Sequence, residues 1–162
     1  MGIIDKNNLY NLYKFIWPTK KIIPFEVYQL KDMSKAEEGD IVVCLKTTDI
    51  APGDIACFYI GNKLLVKRVI GVPGDWINIR EDGTVFVNDQ QLEEPYVDQL
   101  ALGQCDIELP YQVPESSYFL MGDHRESSVD SRSSSVGCVS KDQIMGKIVF
   151  CVWPMSSFGS VG

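Results

Sequence analysis

The chain contains no run of roughly 20 consecutive apolar residues, the length a helix needs to cross a bilayer. Residues 1–23 hold apolar and aromatic groups, but Lys6, Lys14, Lys20 and Lys21 interrupt them and Pro18 breaks them. They do not make a cleavable secretory leader either. Basic charge is scarce: 15 Lys and Arg stand against 22 Asp and Glu, a net charge of −7, with no long basic run. That balance argues against non-specific nucleic-acid binding, which needs cations to neutralise phosphates. There is no Walker-type loop. The five cysteines, Cys44, Cys57, Cys105, Cys138 and Cys151, are scattered without a Cys-x-x-Cys pair, so a zinc site is not expected. Their odd number leaves at least one outside any intramolecular disulfide. Cys44, Cys57 and Cys151 stand in apolar runs and read as small buried hydrophobes. The one histidine, His124, has no serine and aspartate in a known triad pattern beside it, and reads as a loop hydrogen-bonder. No metal or nucleotide cofactor is expected.

What is present describes one domain of 162 residues, or one domain with a small insertion. Residues 5–16 place Leu9, Leu12, Tyr13, Phe15 and Ile16 at spacings compatible with a short amphipathic helix. Such a helix could pack on the domain or lie on a membrane surface with Trp17 and the lysines at the headgroups. From Phe25 onward the pattern is β. Apolar runs at 41–45, 55–60, 64–70, 76–79, 84–87, 118–121 and 148–153 alternate with turns such as Gly39-Asp40, Pro52-Gly53-Asp54, Gly61-Asn62 and Glu81-Asp82-Gly83. Many short strands with Gly and Asp turns predict a closed or folded-over antiparallel sheet. Residues 88–117 are polar and irregular and read as an excursion from that sheet. Ser133, Ser134 and Ser135 read as a loop.

Two polar features stand inside this β pattern. In the run 64–70, side-chain alternation puts Leu65, Lys67 and Val69 on one face and Val66, Arg68 and Ile70 on the other, so one of the two cations is expected to face inward. A lysine among apolar groups loses hydration, which lowers its pKa. A neutral amine can then accept a proton from a serine hydroxyl, in place of the histidine of commoner triads. The other reading is an edge strand with two solvated cations that discourage aggregation. The second feature is Gly122-Asp123-His124-Arg125-Glu126-Ser127-Ser128-Val129-Asp130-Ser131-Arg132, directly behind the apolar run 118–121. An ordinary core has no need of that mixture of Gly, Asp, Arg and hydroxyls.

This second segment resembles the last signature box of type I signal peptidases, membrane-bound Ser/Lys proteases that remove secretory signal peptides. Leu64-Leu65-Val66-Lys67-Arg68-Val69-Ile70-Gly71-Val72-Pro73-Gly74-Asp75 resembles the box that carries their catalytic lysine. The resemblance implies that Lys67 is the general base and that Ser128 bonds its amine and holds it in line. It implies a supporting ion pair of Asp130 with Arg132, and a neighbouring loop shaped by Asp123 and Arg125. A buried amine needs a hydroxyl to orient it, and a buried carboxylate needs a cation.

The family's nucleophile lies in a Ser-Met-x-Pro-type segment shortly before a Gly-Asp-Ile-Val-Val-like strand. Here Pro24-Phe25-Glu26-Val27 and Gly39-Asp40-Ile41-Val42-Val43 match the two flanks. Aligned without gaps, Lys31 occupies the nucleophile slot; aligned on Met33, Asp32 does. Ser34, one residue after Met33, is the serine of that window and the candidate nucleophile. The Gly before and Pro after the family's serine are also missing, which bears on an oxyanion hole built from backbone N–H groups at that turn.

The resemblance implies a mainly β fold: a coiled antiparallel β-sheet domain over 24–162 with a smaller inserted β subdomain around 76–117, preceded by the segment 1–23. It implies an endopeptidase that binds secretory precursors as an added β-strand and cleaves after small residues. It places the domain on the extracytoplasmic face of the cytoplasmic membrane, with the family's anchor, expected just before Pro24, absent from this chain. Two alternatives stay open: a non-catalytic homologue that binds precursors and assists assembly of surface proteins such as pilins, and a self-cleaving repressor of related fold.

Overall fold

The computed structural model describes residues 25–29, 41–153 and 159–160, the first and last segments as backbone. The helix anticipated over 5–16 lies outside the described residues, as do Lys31, Asp32 and Ser34.

The described strands are β1 (Phe25–Gln29), β2 (Ile41–Leu45), β3 (Ile55–Ile60), β4 (Lys63–Gly71), β5 (Trp76–Ile79), β6 (Val85–Val87), β7 (Gln90–Gln91), β8 (Tyr111–Gln112), β9 (Ser117–Met121), β10 (Val139–Ser140), β11 (Ile144–Trp153) and β12 (Gly159–Ser160). A 3₁₀ turn, Lys141–Gln143, leads into β11. Among the described residues the fold is mainly β, as the strand pattern predicts, and no helix is long and apolar enough to cross a membrane. The pairings are antiparallel throughout and form two sheets. The larger runs β1-β2-β11-β3-β4-β9-β10, with β12 also on β11; the smaller runs β7-β6-β5-β8.

Local chemistry sets the turns. Gly61, at φ +56°, makes the two-residue connection of the β3–β4 hairpin, in which Ile60 faces Lys63. Asn88 and Asp89, at φ +51° and +64°, turn β6 into β7; short amide and carboxylate side chains tolerate this left-handed backbone. β8 and β10, two residues each, were not anticipated, and β11 begins four residues before the predicted run. Met145-Gly146-Lys147 is too polar and too glycine-containing to read as strand. Gly146 lies at a register shift between β11 and β3, and a Cβ there would stand 2.1 Å from the Leu45 carbonyl oxygen.

Among the described residues, three apolar clusters form the core. The first joins Val42, Ile55, Val66 and Ile148 with Cys44, Cys57 and Cys151, so these three cysteines pack as core residues. All five cysteines carry thiols; a hydrogen bond with Cys44, then burial, pushes the Cys57 thiol pKa up. The second gathers Ala56, Phe58, Val69, Tyr118, Leu120 and Val139. The third binds the sheets together, with Ile70, Phe119 and Met121 from the larger one against Ile77, Ile79 and Val85 of the smaller. β4 contributes to all three, which is why its run is apolar on both faces. Phe119 is fully buried in the third cluster. Phe119→Ala is expected to lower unfolding free energy by about 3–5 kcal/mol, read as a reduced urea midpoint.

Candidate active site

β4 lies between β3 and β9, with Lys67 opposite Ala56 and Arg68 opposite Met121. The chain leaves β9 at Met121 and folds straight back on it. Ser131 holds the return: its Oγ accepts from the Leu120 amide at 2.9 Å, and its own amide donates to the Leu120 carbonyl at 3.0 Å. This brings Ser128, 61 residues away in sequence, against Lys67. The Lys67 Nζ donates to Ser128 Oγ at 2.9 Å.

Ser128 is itself held. Its amide donates to the His124 carbonyl at 3.0 Å, and its hydroxyl hydrogen-bonds the Asp130 carboxylate. Asp130 is fully buried. It receives the Gly122 amide at 2.8 Å and the Arg132 fork, Nε at 2.9 Å and Nη2 at 2.8 Å. Burial alone would raise the Asp130 pKa. The hydrogen bonds and charge of Arg132, with the Gly122 amide and the Ser128 hydroxyl, outweigh it and hold the carboxyl below its ordinary value. With its proton turned to Asp130, Ser128 presents a lone pair to Lys67. The amine then donates an N–H to that lone pair.

Gly122 makes the close approach possible. A Cβ there would lie 2.1 Å from Ser128 Oγ and 3.2 Å from Lys67 Nζ. The glycine of the Gly-Asp box is thus required by space at the lysine. Lys67, Gly122 and Ser128 line one wall of an open cleft of about 390 Å³, with Leu65, Val129 and Val136 adding apolar surface. His124 is exposed at its rim.

Of the three cations of β4, Lys63 is exposed, whereas Lys67 and Arg68 are covered, Arg68 more than Lys67. Arg68 is 6% exposed, and its Nε and Nη2 donate to the two Asp123 oxygens at 3.0 and 2.9 Å. Lys67 is half-buried, with its neighbours on the same strand face, Leu65 and Val69, packed in the second apolar cluster. Asp123 therefore serves Arg68, and Arg125 turns instead to Glu94 of the excursion. Arg132 reaches the carbonyls of Ala101 and Leu102, at 3.3 and 2.8 Å. Arg68 and Glu94 were not identified from sequence. Within the box, two aspartates balance two arginines, so nothing there calls for a third carboxylate. The signal was the apolar setting of Arg68, which obliges a carboxylate to leave that balance. Among the described residues no three His, Cys, Asp or Glu side chains converge as metal ligands.

The sequence pattern of the family described as signal peptidase, peptidase S26, matches residues 10–153. Signal peptidase IB of Staphylococcus aureus (strain COL) is 37% identical over 133 residues, covering 72% of this chain and 68% of that protein. Signal peptidase I of Bacillus amyloliquefaciens is 34% identical over 116 residues, covering 67% and 62%. A crystal structure of a signal peptidase I from Enterococcus faecalis matches with a TM-score of 0.50 and 28% identity, over 61% of this chain and 96% of that one. The fold and the sequence are those of the type I signal peptidases. The chain belongs to the signal peptidase family, peptidase S26.

Two measurements check the site's construction. Gly122→Ala forces Ser128 and the return loop away from β4 and is expected to cost about 1–3 kcal/mol in urea unfolding. The depressed Asp130 pKa adds stability that is complete above the unfolded carboxyl value near 3.8 and is lost as pH falls through the lower folded value. Wild type is therefore expected to lose urea resistance more steeply than Asp130→Asn below about pH 4.

Proposed function

We propose that this chain is a signal peptidase I-type serine endopeptidase acting on secretory precursors through a Ser/Lys dyad. The observation that carries the reading is the 2.9 Å contact of Lys67 Nζ with Ser128 Oγ, on a strand flanked by apolar neighbours and facing an open cleft. In this reading Lys67 is the general base, Ser128 orients it, and Asp130 with Arg132 fixes Ser128. Ser34 supplies the nucleophile: its hydroxyl attacks the scissile carbonyl while Lys67 takes the proton, and water then resolves the acyl-enzyme. The precursor's extended segment lies along the cleft, where Leu65, Val129 and Val136 favour small apolar side chains such as those of Ala-x-Ala. Residues 24–162 form the catalytic domain, with 76–117 inserted. The domain works at the extracytoplasmic face of the cytoplasmic membrane, with 1–23 on the membrane side.

A second reading rests on the window 27–40, where Lys31 or Asp32 takes the family's serine slot according to the alignment. A chain with that slot replaced binds precursors, or surface proteins such as pilins, without cutting them.

Cleavage of an Ala-x-Ala precursor peptide, followed by mass spectrometry with lipid or detergent present, separates the two. Lys67→Ala and Ser34→Ala are each expected to lower kcat by on the order of 10³-fold or more. Ser128→Ala is expected to lower it about 10–100-fold, because the amine remains but is misplaced. The rate should rise with pH, since the base acts as the neutral amine. Activity that survives Ser34→Ala removes Ser34 as nucleophile. Peptide binding with no cleavage by wild type supports the second reading.

A further inference from the structure

The excursion between β7 and β8 lies against the back of the site loop, away from the cleft. Glu94 is its most deeply engaged carboxylate, with a side chain 4% exposed against the fully buried Arg125. Arg125 Nη1 donates to Glu94 Oε2 at 3.0 Å, and Nη2 donates to Oε1. The same guanidinium sends its Nε to the Gly122 carbonyl at 3.1 Å. The Gly122 amide is taken by Asp130, so the residue whose missing Cβ leaves room for Ser128 and Lys67 is held at both peptide groups.

A second route leaves the same carboxylate. Tyr96 Oη donates to Glu94 Oε1 at 3.2 Å, and its ring lies 3.9 Å beneath the Arg68 guanidinium. Burial, then the Glu94 charge, pushes the Tyr96 phenol pKa up, so the ring stays neutral and its O–H remains a donor. Arg68 in turn grips Asp123, the residue after Gly122. Two chains of contacts from Glu94 thus reach adjacent residues, one at the Gly122 carbonyl and the other at the Asp123 carboxylate. Neither Glu94 nor Tyr96 lines the cleft.

We propose that Glu94 and Tyr96 are positioning residues for the Lys67–Ser128 pair: they set Gly122 from outside the cleft, through Arg125 on one side and Arg68 on the other. The consequence for catalysis rests on the reading of Lys67 as the base; the consequence for Gly122 does not. A buried ion pair adds little net stability over apolar packing, because two charges must be stripped of water. What a two-pronged guanidinium–carboxylate contact supplies is fixed orientation, and here the oriented group is the peptide that spaces the Lys67–Ser128 pair.

The experiment uses the full 162-residue chain in two assays. In hydrogen exchange, Glu94→Ala is expected to speed exchange of the Gly122 amide at least about ten-fold, while β5 and β6 keep wild-type rates. In peptide cleavage it is expected to lower kcat about 10–100-fold with KM within about two-fold, the signature of a displaced catalytic group. Glu94→Gln keeps one acceptor for Arg125, folds without an empty site beside the arginine, and should recover part of both losses. Tyr96→Phe keeps the ring under Arg68, removes one contact to Glu94, and should give a smaller shift in the same direction. Unchanged Gly122 exchange in Glu94→Ala overturns the proposal, as does equal acceleration in both sheets, which marks a role in stability alone. If wild type does not cleave the peptide, the catalytic reading fails separately, and Gly122 exchange by itself decides for or against the positioning role.

Discussion

The buried Asp130–Arg132 pair is the contact on which the rest of the site depends. Its carboxylate gathers the Gly122 amide, the Ser128 hydroxyl and the Arg132 fork. One anion thus ties the end of β9 to a residue eight positions later and turns a serine toward a lysine on the neighbouring strand. The cation is committed as fully, with its remaining nitrogen on the Ala101 and Leu102 carbonyls. Removing either partner would leave a charge in the interior with no counterpart, a loss of about 3–5 kcal/mol. Such a pair is a poor source of net stability and a strong source of geometry, which is what a short loop around an amine requires.

The arginines divide this work in an orderly way. The molecule is acidic overall, yet its deepest charged side chains include Arg68, Arg125 and Arg132. Each takes one carboxylate and at least one backbone carbonyl: Asp123 and Gly53, Glu94 and Gly122, Asp130 and Leu102. A guanidinium has five donors in a plane and cannot lose its charge, so it can bind an acid and a main-chain oxygen together. Lysine could do neither as reliably. The division also separates places, because Lys67 lines the cleft and the guanidinium groups hold the frame around it.

Much of this was legible in the sequence, for identifiable reasons. The strands at 41–45, 55–60 and 76–79 follow from apolar runs bounded by Gly-Asp turns, and the structure gives those limits. The approach of Ser128 to Lys67 and the pairing of Asp130 with Arg132 were implied by the resemblance of the Gly-Asp-His-Arg box to that of the signal peptidases, and both contacts are present. Three things were not legible. The Asn88–Asp89 turn carries no glycine, so β7 merged with the irregular stretch after it. β8 and β10 are two residues long and have no periodicity to detect. The partners of Arg68 and Arg125 depend on which strands are neighbours: Asp123 and Arg68 meet because β9 pairs with β4, and 55 residues of chain give no hint of it.

The alternation of β4 carries a further consequence. Lys67 and Arg68 are adjacent and point to opposite faces, so their roles are assigned by strand parity alone. The β3–β4 connection is two residues long and fixes that parity through Gly61. One inserted residue in the turn would slide β4 by a single step and exchange the faces. Lys67 would then take the place of Arg68, among Asp123 and Tyr96, and the guanidinium, which cannot give up its proton, would be driven onto the cleft-side face at the place of Val69, in the second apolar cluster. Composition, core volume and net charge would all be nearly unchanged. A length polymorphism in a surface hairpin, far from any reacting atom, would thus be a chemical lesion while resembling a neutral one.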